Sequence, residues 1–105
     1  MTIIELMKIL EATGYPVAYS HFAKSVNPPF ICFLVDGSPN MAADNKIYQK
    51  INDINIELYT TKKDLKAEEA LENILDKHEI PYSSGSDVFI QSEKVFQKIY
   101  EARLM

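Results

Sequence analysis

One cysteine, no tryptophan and only three glycines in 105 residues put several kinds of protein out of reach. A single thiol cannot build a disulfide framework, nor can it supply a cysteine-rich zinc site. Gly14, Gly37 and Gly85 stand far apart, so the chain has no glycine-rich loop of the kind that cradles phosphate. Long apolar runs are missing as well. The longest, Phe30 to Val35, has six residues, whereas a helix that spans a bilayer needs roughly 20. The N-terminus lacks a basic stretch leading into a hydrophobic one, which is the mark of a secretory signal, and a cytoplasmic chain without membrane contact is expected. No block of Lys or Arg occurs, and 15 acidic residues against 11 basic give a net charge of −4. Binding DNA through its phosphates needs a concentrated positive face.

What remains is 47% apolar and 25% charged, with six Tyr and five Phe. That balance gives one folded domain, residues 1–105, without an internal repeat or boundary. A chain of this length buries roughly 60–70% of its unfolded surface, so its core is thin and help from oligomerisation is expected.

The pattern of apolar residues places the elements. Ile3, Leu6, Met7, Ile9 and Leu10 fall at near-helical spacing between Thr2 and Thr13, with Thr2 and Glu5 in capping-box positions. Gly14-Tyr15-Pro16 ends that helix, since Gly takes the left-handed position and Pro cannot continue. Val17 to Phe22 is a first strand, and Phe30 to Val35 reads as a central strand covered on both faces. From Ile47 to Thr60 the chain is one long strand or a bent pair, with a bulge near Asn52-Asp53 to reconcile the parities. Asp64 caps a second helix that runs to about His78, with Ala67, Leu71, Ile74, Leu75 and His78 on one stripe. Lys66, Glu68, Glu69, Glu72 and Asp76 fall mostly outside the stripe. Ser83 to Ser86 is expected as a flexible loop before a last hairpin of Asp87 to Gln91 and Val95 to Ala102, turning at Ser92 to Lys94. The fold class is α+β: a four- to five-stranded, mainly antiparallel or mixed sheet with two helices packed on one face.

Residues with chemical potential do not gather. His21 and His78 lie on different elements, without the His-x-x-x-His or Glu-x-x-His spacing of a metal site. His78 falls in the last turn of a helix, where an imidazolium suits the terminal carbonyls. Cys32 sits among Ile31, Phe33 and Leu34, surroundings that raise a thiol's pKa and keep solvent away. Glu68-Glu69 and Asp53-Glu57 read as solvated carboxylates. Neither a catalytic residue nor a cofactor is expected. Tyr15, Tyr19, Tyr48, Tyr59, Tyr82 and Tyr100 fill a core that has no Trp, or lie between subunits. The segments Ala23 to Pro29 and Asp36 to Lys46 are long for so small a domain. They are interface arms or mobile connections.

The ordered stretches Thr13-Gly-Tyr-Pro-Val-Ala-Tyr-Ser-His-Phe22, Pro28-Pro-Phe30, Ile56-Glu-Leu-Tyr-Thr-Thr-Lys-Lys-Asp64, Ser92-Glu93 and Tyr100-Glu101 resemble small tail proteins of siphophages and prophages of Gram-positive bacteria. In size and element order the chain is most similar to the tail terminator class, the family of the minor tail protein U of lambda-like phages. The resemblance implies a homo-oligomeric ring, usually a hexamer, located in the virion at the head–tail interface and assembled in the host cytoplasm. Such a ring caps the tail tube protein and meets the head-completion or connector protein. DNA passes through its lumen without specific binding, which suits an acidic subunit. The resemblance transfers no active site. A neighbouring head–tail joining protein, or a small peptide- or ligand-binding module, is the alternative. A closed ring needs two different patches per subunit. One patch is expected on the long strand and its turn, Ile56 to Asp64, and the other on the arm Ala23 to Pro29, and the candidate interface residues are Tyr19, Phe22, Pro28, Pro29, Glu57, Tyr59, Lys62, Lys63 and Asp64.

Overall fold

A computed structural model describes residues 2–35 and 52–104. The elements run α1 (Ile3–Glu11), β1 (Val17–Tyr19), β2 (Phe30–Val35), β3 (Asn52–Thr60), α2 (Leu65–Lys77), β4 (Tyr82–Ile90) and β5 (Val95–Leu104). Among the described residues this is an α+β fold with two helices and one five-stranded sheet in the order β1-β2-β3-β5-β4. The sheet is mixed. β1 pairs with β2 in parallel, and every other pairing is antiparallel. The expected loop Asp36 to Lys46, Tyr48, and the strand start at Ile47 lie outside the described residues.

Both helices start as their sequences dictate. Thr2 Oγ1 accepts the Glu5 backbone N–H and the Glu5 carboxylate accepts that of Thr2, the reciprocal pair of a capping box. The Thr2 backbone N–H first, and the Thr2 hydroxyl second, hold the Glu5 carboxyl below its ordinary pKa. α1 ends before Thr13, with Gly14 at φ +92°, a backbone region nearly free of cost only for glycine. Asp64 Oδ1 accepts the Ala67 N–H at 3.0 Å and caps α2.

One buried cluster joins Leu6 and Leu10 of α1 and Ala67, Leu71 and Leu75 of α2 to Ile31, Phe33, Ile54, Ile56, Leu58, Tyr100, Ala102 and Leu104 of the sheet. The strand residues in it share one parity. Phe33 stands opposite Ile56, and Ile56 opposite Tyr100. Burial of these side chains is the main stabilising term, at roughly 25 cal/mol per Å² of apolar surface.

Several expectations are corrected. β1 stops at Tyr19, not Phe22, because Ser20 turns to φ +70°. β3 keeps regular register with β5 from Asn52 to Thr60, so the bulge foreseen near Asn52-Asp53 is absent there. The irregularity falls instead between Ser84 and Asp87. The stretch Ser83 to Ser86, expected as a loop, belongs to β4, since pairing with β5 supplies what its weak strand propensity does not. The hairpin is accordingly longer at its open end than foreseen, from Tyr82 on β4 and to Leu104 on β5. His78 is the exposed C-cap of α2 and not part of its buried stripe. Glu68 and Glu72, placed outside the stripe, are half-buried because each has a partner on the sheet.

Candidate functional site

Strand residues of the other parity form a second surface. Phe30, Cys32, Leu34, Asn55, Glu57, Tyr59, Gln97 and Ile99 alternate with the core residues along β2, β3 and β5. Most are half-buried, and Cys32 is 4% exposed. The segment 20–29, which joins β1 to β2, runs beside this surface and packs Phe22 edge-on against Phe30, with ring centroids 5.4 Å apart at 81°. Beneath it lies a cavity of about 550 Å³. Phe22, Val26, Pro28, Phe30, Cys32 and Tyr59 line it from the segment and the sheet, and Ile90, Glu93 and Val95 from the tip of the β4–β5 hairpin. His21 and Lys24 add two polar heads.

Tyr59 organises the wall. Its ring stacks on Phe30 with centroids 4.8 Å apart at 23°. Its hydroxyl donates to Glu57 Oε1 at 2.8 Å and accepts from Gln97 Nε2 at 2.8 Å. Burial, then the hydrogen bond to the Glu57 carboxylate, pushes the phenol up to about 12. Burial first and the Glu57 charge second push the Cys32 thiol up to about 11. A thiol held protonated is a poor nucleophile. The lining mixes apolar side chains with the polar heads of His21, Lys24 and Glu93.

The structure distributes the expected interface residues unevenly. Phe22, Pro28 and Tyr59 meet at the cavity, with Glu57 next to Tyr59 and Pro29 joined to Pro28 by a cis peptide bond. The segment and the long strand, expected as separate patches, thus form one surface here. Tyr19 stands apart on β1, its ring edge-on to Phe33 at 5.3 Å and its hydroxyl accepting the Val35 N–H at 3.2 Å. Lys62 is exposed. Lys63 and Asp64 serve the start of α2. Lys63 Nζ lies 2.8 Å from both Asp87 Oδ2 and Glu68 Oε2, and these hydrogen bonds push its ammonium up to about 12. Lys98 closes the cluster at 3.6 Å from Glu68 and 4.0 Å from Asp87. Ile90, Val95 and Gln97 were not anticipated at the site. The alternation Val95, Gln97, Ile99 along β5 was their signal, and it points to whichever face the partners choose.

Among the described residues, no group of three His, Cys, Asp or Glu side chains could hold a metal ion, and no helix is long and apolar enough to cross a membrane. No protein-family model matches the chain, and no curated protein matches it at a significant level.

Proposed function

We propose that the chain is a structural subunit of a long-tailed phage, a tail terminator that assembles into a ring, caps the tail tube and joins it to the head-completion proteins. The two helices cover one face of the sheet, and the other face is offered to neighbours. One observation carries this reading. Three stretches that resemble the family, Thr13 to Phe22, Pro28 to Phe30 and Ile56 to Asp64, converge through Phe22, Phe30 and Tyr59 on an aromatic surface beside the sheet. Aromatic side chains of that kind are enriched where subunits meet. The net charge of −4 suits a lumen through which DNA slides without sticking.

Mass photometry of the purified chain, alone and with cognate tail tubes, tests the reading. A closed oligomer, bound to tube ends and stopping their growth, is expected. A monomer in both samples would sink it. A ring that ignores tubes and binds the head connector would instead make the chain a head–tail joining protein.

The cavity itself favours a second reading, a module that receives a small ligand or peptide. Under that reading the chain stays monomeric, and native mass spectrometry of protein taken from the host shows a bound small molecule or peptide.

A further inference from the structure

The sheet has two unlike ends. At one, β1 offers three residues, Val17–Tyr19. At the other, β4 offers nine, and an edge strand presents a row of unpaired backbone N–H and C=O groups. Natural proteins guard such edges with Lys, Pro or a bulge. From Tyr82 to Ile90 the chain has neither Lys nor Pro. Its single charge, Asp87, is taken up by Lys63 and Lys98. A bulge is present, but it ends at Asp87 and leaves Asp87 to Ile90 in regular pairing with β5.

The apolar surface collects at these same two ends. Val88 is 51% exposed, Phe89 49% and Tyr19 45%. With Ile4 and Leu65 they are the large exposed hydrophobic residues among those described, so three of the five sit on edge strands.

Direction and parity also match. β2 and β5 both run against β3, β1 runs with β2, and β4 runs against β5. β4 therefore runs against β1, and a sheet continued into a second copy in the same sense would join β4 to β1 as antiparallel neighbours. Tyr19 shares a face with Phe33, and Phe89 shares that face through Phe96 and Thr60. Ala18 and Val88 share the other face, through Cys32 and Gln97. Val17 to Ser20 carries no charge to oppose Asp87.

We propose that the outer edge of β4, from Asp87 to Ile90, pairs antiparallel with the outer edge of β1 of a second copy, so that Phe89 of one subunit covers Tyr19 of the next. This deepens the ring reading and rests on it. The contact is heterologous, and a rotation that closes it leaves no edge free.

The test uses two single-cysteine additions, Tyr19→Cys and Phe89→Cys, with the wild-type chain and its buried Cys32 as control. Under mild oxidation, at concentrations where wild type is oligomeric, the mixed variants should give a cross-linked dimer that neither gives alone. A chain carrying both substitutions should give a ladder. Cross-linking of Phe89→Cys with itself would mean two-fold β4–β4 pairing and overturn the proposal. An oligomer without any cross-link would overturn it too and leave the ring reading standing, whereas absence of any oligomer removes both. A separate variant, Val88→Lys, alters an exposed side chain and should lose the oligomer, while its melting temperature matches that of wild type when both are compared at a dilution where both are monomeric. Unchanged assembly of that variant counts against the edge contact.

Discussion

The Tyr100 hydroxyl donates to Glu72 Oε2 at 2.8 Å, tying β5 to α2 across the edge of the core. The ring of Tyr100 is fully buried while the carboxylate is half-buried. The phenol is held well above its usual range, by burial first and by this bond second. Tyr100→Phe keeps the packing and removes the donor. It should cost about 1.5–3 kcal/mol, the range of a hydrogen bond to a charged group, read as a lower urea midpoint with an unchanged slope. A variant as stable as wild type would show that water replaces the contact.

Alkaline pH should loosen the fold through Cys32 first and then Tyr59, joined above about pH 10 by Tyr100, whose phenol is also held up. The Cys32 thiol rises from 9.0 to about 11 in the folded chain and the Tyr59 phenol from 10.0 to about 12. Both groups are acids that folding keeps protonated. Their contribution is whole below pH 9, where folded and unfolded chains alike hold the protons. Between about pH 9 and 11 the unfolded chain releases the thiol proton first and stability falls, and Tyr59 extends the fall toward pH 12. Urea unfolding at pH 7, 9 and 10.5 measures the slope. Cys32→Ala should flatten the part between pH 9 and 11, and a thiol reagent should label Cys32 in urea but not in the native chain.

At Tyr59 two substitutions separate packing from polarity. Tyr59→Phe retains the stack on Phe30 and loses the bonds to Glu57 and Gln97, at about 2 kcal/mol. Tyr59→Ala also opens the cavity wall and should cost about 3 kcal/mol, near the low end for a large aromatic residue because the ring is only half-buried. Chemical denaturation of both variants checks the difference.

Asp64→Ala removes the acceptor of the Ala67 N–H and should lower stability by about 1 kcal/mol. Asp64→Asn should recover most of it. If Asp64 were instead a subunit contact, as its place in the sequence suggested, assembly would change while monomer stability did not.

The elements whose signals are local were legible in the sequence. The Thr2–Glu5 capping box, the stop at Gly14, the strand Phe30–Val35 and the Asp64 cap each depend on residues within a few positions of one another. What failed depends on distant partners. Ser83 to Ser86 reads as a loop by composition and becomes strand only because Ser83 and Ser84 face Glu101 and Tyr100 of β5. Glu68 and Glu72 read as solvated until Lys98 and Tyr100, some 30 residues away, come beside them. For the candidate site, Phe22, Pro28 and Tyr59 were foreseen as contact residues, yet their meeting at one cavity follows from the pairing of Phe30 with Tyr59 across β2 and β3. The hairpin tip that completes the cavity was signalled only by the alternation along β5, which does not say which face the tip takes.

The parallel pairing of β1 and β2 fixes the minimum length of the segment between them. Antiparallel neighbours can be joined by a two-residue turn, whereas parallel ones require the chain to travel back along the strand before it re-enters the sheet. Residues 20–29 are that return path. A surface loop ordinarily tolerates deletion, but here the loss of a few residues would leave β2 unable to reach its register with Val17. The space under the path, where Phe22 and Pro28 face Tyr59, is therefore a by-product of connectivity. Any chain with this strand order must spend residues on that side of the sheet, and side-chain substitution there can change what the space accepts without touching the topology.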